Sequence, residues 1–187
     1  MSDTATFLRA WLSDPLRVAA VAPSSRMLGE LMTREIGPAT GSVLELGPGT
    51  GVFTRALRER GVPEDTLVLI EQRDDFIAML KGRFPRASVL RGDAARLSLS
   101  LPHGMRFGAV VSGLPLLSMT RRTQFMILAG CFSHLERGGA MFQFTYGPRC
   151  PVPQPILDRL GLDARRVAGT LCNIPPAAVY KITRKLN

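Results

Sequence analysis

Cysteine is scarce in this chain. Cys131, Cys150 and Cys172 are scattered and form no CxxC pair. That pattern excludes a disulfide framework, makes a zinc site unexpected, and reads as three reduced thiols in a cytosolic protein. Of the two histidines, His103 and His134, one alone lies near a cysteine. No metal site is expected. Aromatic residues make up 6% of the chain, with one tryptophan, Trp11, and two tyrosines, Tyr146 and Tyr180. Lysine is nearly missing too: Lys81, Lys181 and Lys185 are the full set, so arginine carries the positive charge. No uncharged apolar run approaches the ~20 residues of a membrane span. Met1-Ser2-Asp3 lacks the cationic start of a secretory signal, so none is expected. There is no repeat, low-complexity tract or long linker.

What is present is an ordinary globular composition with an unusual charge. The 187 residues fit one α/β domain, and 45% hydrophobic with 21% charged residues is enough to bury a core. Lys and Arg number 24 against 15 Asp and Glu, a formal net charge of +9, with a sequence pI near 10.7. Such a surface attracts polyanions, either nucleic acid or anionic lipid, unless it serves solubility alone.

The chain divides into an amphipathic N-terminal segment, residues 1–22, and a domain over residues 23–187. In the first, Phe7, Leu8, Trp11 and Leu12 recur at helical spacing from Thr4 to Ser13, flanked by Arg9 and Arg17 and ended by Pro15. They form either a membrane-facing surface, with tryptophan suited to the headgroup zone, or a helix packed over a cleft. After Pro23, Ser24 or Ser25 is placed to cap a helix whose apolar face is Met27, Leu28, Leu31, Met32 and Ile36, stopped by Gly37-Pro38. Strand and helix then alternate. Strands are expected at Ser42–Leu46, Thr66–Glu71, Ala87–Leu90, Phe107–Ser112 and Ala140–Thr145. Helices are expected over Val52–Arg60, around Phe76, Ile77 and Leu80, and over Thr120–Leu135. Two β pieces near Val167–Cys172 and Ala178–Thr183 suit an antiparallel hairpin at one edge. Continuous apolar strands alternating with helices predict a mostly parallel sheet covered on both faces.

The informative segment is Val43-Leu44-Glu45-Leu46-Gly47-Pro48-Gly49-Thr50-Gly51, where an apolar strand ends and a helix begins. Glycine there lets backbone approach a ligand at the carboxyl edge of the sheet. The spacing G-P-G-T-G is neither the dinucleotide G-x-G-x-x-G nor a P-loop. Glu45, just before the turn, suits a cationic group such as an α-amino group; the alternative is an inward carboxylate bonded to backbone amides. Glu71 ends the second strand about 20 residues on, where an acid can accept both hydroxyls of a ribose. Asp93 ends the third strand in Gly92-Asp93-Ala94, placed either to accept an adenine amino group or to cap a surface turn.

This series, in order and each at a strand end, resembles the class I S-adenosylmethionine-dependent methyltransferases over residues 41–145. The resemblance implies a Rossmann-like, mostly parallel seven-stranded sheet with helices on both faces and an antiparallel edge hairpin. It implies S-adenosylmethionine as cofactor and S-adenosylhomocysteine as product. Glu45, Gly47, Gly49 and Gly51 would serve the methionine part, Glu71 and Gln72 the ribose, Asp93 and Ala94 the adenine, with Ser112 completing the site. Four further pieces, Ala22-Pro23-Ser24-Ser25, Ser112-Gly113-Leu114-Pro115-Leu116, Gln143-Phe144-Thr145-Tyr146-Gly147-Pro148 and Asn173-Ile174-Pro175-Pro176-Ala177, are similar to the bacterial phospholipid N-methyltransferases, which convert phosphatidylethanolamine stepwise to phosphatidylcholine.

Ser24, Ser25 and Arg149 are accordingly the candidate substrate contacts, Arg149 because guanidinium binds phosphate bidentately. Tyr146, Tyr180 and Asn173 are the catalytic candidates. A protonated amine must lose its proton before it attacks a methyl group. A phenol or amide oxygen can accept its hydrogen bond, and a phenol ring can hold the growing ammonium. Phe7, Leu8, Trp11 and Leu12 would then meet an anionic membrane, with the protein peripherally bound at its cytoplasmic, inner face. The rival is an rRNA adenine N6-dimethyltransferase-type enzyme. Such enzymes carry an asparagine or aspartate and an aromatic in the loop after the fourth strand, for the flipped base. Ser112-Gly113-Leu114-Pro115-Leu116 has neither, so nucleic acid is not the expected partner. A non-catalytic, cofactor-binding membrane-peripheral protein is the third reading.

Overall fold

The computed structural model describes residues 22–146, 149–170 and 177–185. Seven strands form one sheet: β1 (Val43–Leu46), β2 (Leu67–Glu71), β3 (Ser88–Arg91), β4 (Phe107–Ser112), β5 (Leu135–Tyr146), β6 (Leu162–Thr170) and β7 (Ala177–Arg184), in the order β3-β2-β1-β4-β5-β7-β6. The first five run parallel. β7 is antiparallel to both β5 and β6, so the last two strands close one edge as a hairpin. The expected sheet, parallel body and antiparallel edge are all present.

Among the described residues six helices cover it: α1 (Ala22–Thr33), α2 (Val52–Glu59), α3 (Asp74–Arg83), α4 (Leu97–Ser100), α5 (Arg121–His134) and α6 (Gln154–Arg159). One face of the sheet buries Val43, Leu67, Leu69 and Phe142 against Met32 of α1, Phe53 and Leu57 of α2 and Leu80 of α3. The other buries Leu44, Val110 and Met141 against Leu97 of α4, Leu128 and Cys131 of α5 and Ile156 of α6. Both faces are apolar, so the central strands read as continuous runs in the sequence. Each fully buried Leu, Ile or Phe contributes about 1.5–3 kcal/mol of apolar burial.

Three local expectations need correction. α1 begins at Ala22, so Ser24 and Ser25 fall in its first turn rather than ahead of it as caps. β5 begins at Leu135 rather than Ala140, because Glu136, Arg137 and Gly138 are exposed positions of a strand that continues beyond the apolar stretch. β6 begins at Leu162, five residues earlier than its apolar stretch suggests, and α6 carried no readable period in six residues.

The topology fixes where a ligand can sit. From β1 the chain moves outward through β2 to β3, then returns to place β4 on β1's other side. The strand order reverses between β1 and β4, and a crevice opens at their carboxyl ends.

Gly108 tests how tightly the lower end of this sheet is built. A Cβ there would run into the carbonyl oxygen of Thr40. Gly108→Ala is expected to cost about 1–3 kcal/mol through overpacking, and so to lower the midpoint of thermal unfolding by several degrees. A wild-type melting curve for the variant would contradict the close approach.

Candidate active site

The glycine turn lies at the switch point. Gly47, Gly49 and Gly51 take φ values of 62°, 54° and 79°, a region that favours glycine. A side chain at Gly47 would meet Leu114 at 2.7 Å and one at Gly51 would meet Phe84 at 2.6 Å, whereas nothing stands within 4 Å of a Cβ built on Gly49. The middle of the turn is therefore open, with its shoulders packed.

Glu71 holds this turn in place. One carboxylate oxygen accepts from Gly49 N at 3.1 Å. The other accepts from Gln72 N at 2.8 Å and Arg73 N at 3.1 Å. A buried carboxylate with three backbone donors ties the end of β2 to the turn after β1. Gln72 itself is exposed and takes part through its backbone.

Glu45 is enclosed on the α1–α3 face. Its Oε2 accepts the Thr54 hydroxyl of α2 at 2.7 Å, and its Oε1 has no partner among the described residues. Burial pushes its carboxyl up to about 8, against the opposing hydrogen bonds from Thr54 and with a small push from the Glu71 charge. Its partners are the hydroxyl and the backbone N–H of Thr54, and one oxygen is left over among the described residues. Thr54 was missed in the sequence; its signal was a polar residue on the buried side of α2.

Asp93 is exposed, and its Oδ1 accepts from Ala95 N at 2.9 Å, capping the turn Ala94–Arg96. The capping role is thus realised, and Ala94 beside it is buried. Ser112 is buried at the end of β4, in register with Leu46. Glu45, Gly47, Gly49, Gly51, Glu71, Asp93, Ala94 and Ser112 all lie at the carboxyl ends of β1–β4.

The catalytic candidates are less unified. Tyr146 ends β5 and packs edge-on against Phe144 at 5.5 Å, which in turn packs against Phe53 at 6.1 Å, on the α1–α3 face. Tyr180 follows two residues before Ile182 on β7 and shares the opposite face. The two tyrosines are therefore on opposite sides of the sheet. Burial raises the Tyr146 phenol above its usual value, so it stays protonated at neutral pH. A pocket between the loop after β4 and the end of β5 is lined by Pro115, Leu116, Leu117, Thr145, Tyr146 and Pro151, among others. Arg149 is exposed beside it. Asn173, Phe7, Leu8, Trp11, Leu12 and the side chains of Ser24 and Ser25 lie outside the described residues.

Residues 43–139 match the family model described as a methyltransferase domain. The whole chain is 30% identical over 186 residues, covering 96% of this chain and 95% of the other, to the ornithine lipid N-methyltransferase of Singulisphaera acidiphila. The chain belongs to the methyltransferase-domain family. It is a class I S-adenosylmethionine-dependent methyltransferase related to lipid N-methyltransferases, with S-adenosylhomocysteine as the product form of its cofactor. A ribosomal RNA small subunit methyltransferase A of a Synechococcus strain is 38% identical over 96 residues, which covers 50% of this chain and 32% of that one. Among solved structures, the methyltransferase shares its fold with the glycopeptide N-methyltransferase MtfA in complex with S-adenosylmethionine (TM-score 0.63, 16% identity, 86% and 94% covered). It also shares the fold of a TehB-like methyltransferase from Corynebacterium glutamicum (TM-score 0.65, 15% identity, 97% and 98% covered).

The site fits that cofactor. The open glycine turn can admit a ligand against backbone, and the buried Glu45 oxygen without a partner suits a cationic donor. The same carboxyl sets a pH dependence in the free enzyme. Its folded value of about 8 lies above the ordinary 4.5 of a glutamate, so folding takes up a proton between those limits. Stability is full below about 4.5 and falls as pH rises toward 8, by about 1.4 kcal/mol per unit at most. Glu45→Gln has no such proton to take up. Its melting temperature relative to wild type should rise from pH 5 to pH 8 and then level off, as read by thermal denaturation across pH. A constant difference would contradict the assignment.

Proposed function

We propose that this methyltransferase transfers methyl groups to the amine of phosphatidylethanolamine and of its mono- and dimethyl forms, toward phosphatidylcholine, at the inner face of an anionic membrane. The observation that carries this reading is the likeness to a lipid N-methyltransferase over nearly the full length of both chains. The chain's own surface supports it. Residues 1–93 hold 12 Lys and Arg and 12 Asp and Glu, whereas residues 94–187 hold 12 against 3, so the entire excess of nine lies in the second half. At the far edge of the sheet such cations serve the fold: Arg106 donates to Ser133 O and Arg184 to Glu136 O at the carboxyl end of α5. At the site edge Arg121, Arg122 and Arg149 are exposed and form no ion pair with a described acid. Leu117, 47% exposed, lines the pocket. Exposed cations and an exposed leucine suit an anionic lipid surface. Among the described residues no helix is long and apolar enough to cross a membrane, so attachment would be peripheral, aided by the segment with Phe7, Leu8, Trp11 and Leu12.

In this reading Glu45 faces the cofactor's amino group, the Gly47–Gly51 turn carries its methionine part, and Glu71 takes the ribose. Asp93 and Ala94 border the adenine. The bound cofactor supplies an electrophilic methyl on sulfur. The protein's work is to orient the amine and exclude water around it. Tyr146, on the pocket wall and held as a neutral phenol, accepts a hydrogen bond from the amine and offers its ring to the developing ammonium.

The test is transfer of labelled methyl from S-adenosylmethionine to phosphatidylethanolamine vesicles, with ornithine lipid and rRNA fragments in parallel. Label in phosphatidylethanolamine, weakened by salt, is the expected result. Tyr146→Phe should lower turnover and Tyr146→Ala should lower it further, by losing a cation–π contribution of about 0.5–2 kcal/mol. Label in ornithine lipid alone would correct the substrate. Label in rRNA alone, or cofactor binding without any turnover, would overturn the reading.

A further inference from the structure

One row of side chains runs across four strands on the α4–α6 face and breaks the pattern of the core. In register across the sheet, Ala164 of β6, Ile182 of β7, Met141 of β5, Val110 of β4 and Leu44 of β1 form an apolar row. Two residues nearer the carboxyl ends of β4 and β5, the next row on the same face reads Arg166, Tyr180, Gln143 and Ser112. From β4 to β6 polar groups replace the core in a single step, while on β1 the row ends in the buried Leu46; Gln143 and Ser112 are fully buried and Tyr180 is 7% exposed.

Gln143 is the centre of this row. Its Nε2 donates to Leu114 O and Phe144 O, both at 2.8 Å, and its Oε1 is buried with no partner among the described residues. Two carbonyl acceptors fix which end is the amide nitrogen, so the atom left over is an acceptor. Leaving such an acceptor unmet costs about 1–3 kcal/mol in a folded protein, which calls for a donor in the working enzyme. Leu114 directly precedes Pro115, Leu116 and Leu117, which line the pocket, and Thr145, the next residue on Gln143's face of β5, lines it as well. At the outer end, Arg166 is exposed and lies next to an irregularity between Arg166 and Ala168 in the pairing of β6 with β7. Such bulges re-aim side chains beside functional sites.

We infer that this row is a headgroup subsite: Gln143 Oε1 accepts an N–H of the substrate amine, and Arg166 pairs with the phosphate of the same headgroup. The inference rests on the reading of the substrate as an amine-bearing phospholipid. Strands are spaced ~4.8 Å apart, so amine and phosphate can be met by side chains two strands apart when one of them is a long arginine. An amide suits the amine end. A carboxylate would stabilise the protonated ammonium, which cannot attack, whereas a neutral acceptor orients the free amine without holding its proton. The contact also depends on the stage of methylation. Neutral primary and secondary amines have an N–H to donate, and a neutral tertiary amine has none.

The test is steady-state methylation of phosphatidylethanolamine and its mono- and dimethyl forms, with a long-chain alkylamine as an acceptor that lacks phosphate. Gln143→Met should raise KM for the first two lipids roughly tenfold or more, as expected for one lost buried hydrogen bond, and change the dimethyl form much less. An equal loss on all three would make Gln143 merely structural and overturn its role. Arg166→Gln, at an exposed position, should raise KM for phosphatidylethanolamine at least tenfold more than for the alkylamine. Equal effects on both acceptors would overturn the phosphate contact. If the wild-type enzyme methylates no lipid amine, the substrate reading falls and the subsite with it. Lipid turnover with indifferent variants removes the subsite alone.

Discussion

A buried carboxylate bonded to three backbone amides organises the carboxyl edge of this enzyme's sheet. Glu71 stands at the end of β2, yet one of its donors is Gly49, 22 residues away in the turn after β1. The bond draws together two strand ends that are hydrogen-bonded neighbours in the sheet, and holds the glycine turn in a left-handed path that larger residues rarely adopt. The turn's shoulders are closed by Leu114 and Phe84 while its centre stays open. Through Leu114 the same arrangement extends to the loop after β4, because the Leu114 carbonyl is held by Gln143 of β5. Turn, loop and β5 are thus linked from one anion outward.

The two halves of the chain divide the labour. The first half, with β1 to β3, carries no net charge and holds the glycine turn and Glu71. The second, with β4 to β7, carries the whole excess of arginine and lysine and builds the pocket. Within that half, basic residues far from the site satisfy carbonyls at the end of α5, and those near it are left to solvent. The polar row from Ser112 to Arg166 lies one step beyond the apolar row from Leu44 to Ala164 on the same face of the sheet.

Most of the fold was legible because both faces of the sheet are buried. Val43–Leu46, Leu67–Glu71 and Phe107–Ser112 are continuous apolar runs bounded by turn residues, which identifies parallel strands directly. The glycine turn and Glu71 were legible as local features because glycines and a carboxylate interrupt apolar runs at two strand ends. The rest required three dimensions. Glu136 to Gly138 hid the start of β5, since an exposed strand end has no apolar signature. Asp93 was readable as a cap or as a ligand contact, and nothing in sequence separates the two. Glu45 was visible, but its partner Thr54 sits on a different element. Gln143 was not singled out in the sequence, because its link to Tyr180 and Arg166 comes from cross-strand register, which sequence periodicity does not specify.

The central claim is that the Glu71-anchored turn is the cofactor site of a working methyltransferase. Calorimetric titration of S-adenosylmethionine into the wild type and Glu71→Ala tests it most directly, with thermal unfolding of each as the control for folding. Removing the carboxylate takes away a charge-assisted acceptor worth about 1.5–3 kcal/mol, so affinity should fall about 10- to 100-fold in a protein that still unfolds cooperatively. Wild-type affinity in a folded Glu71→Ala protein would contradict the account.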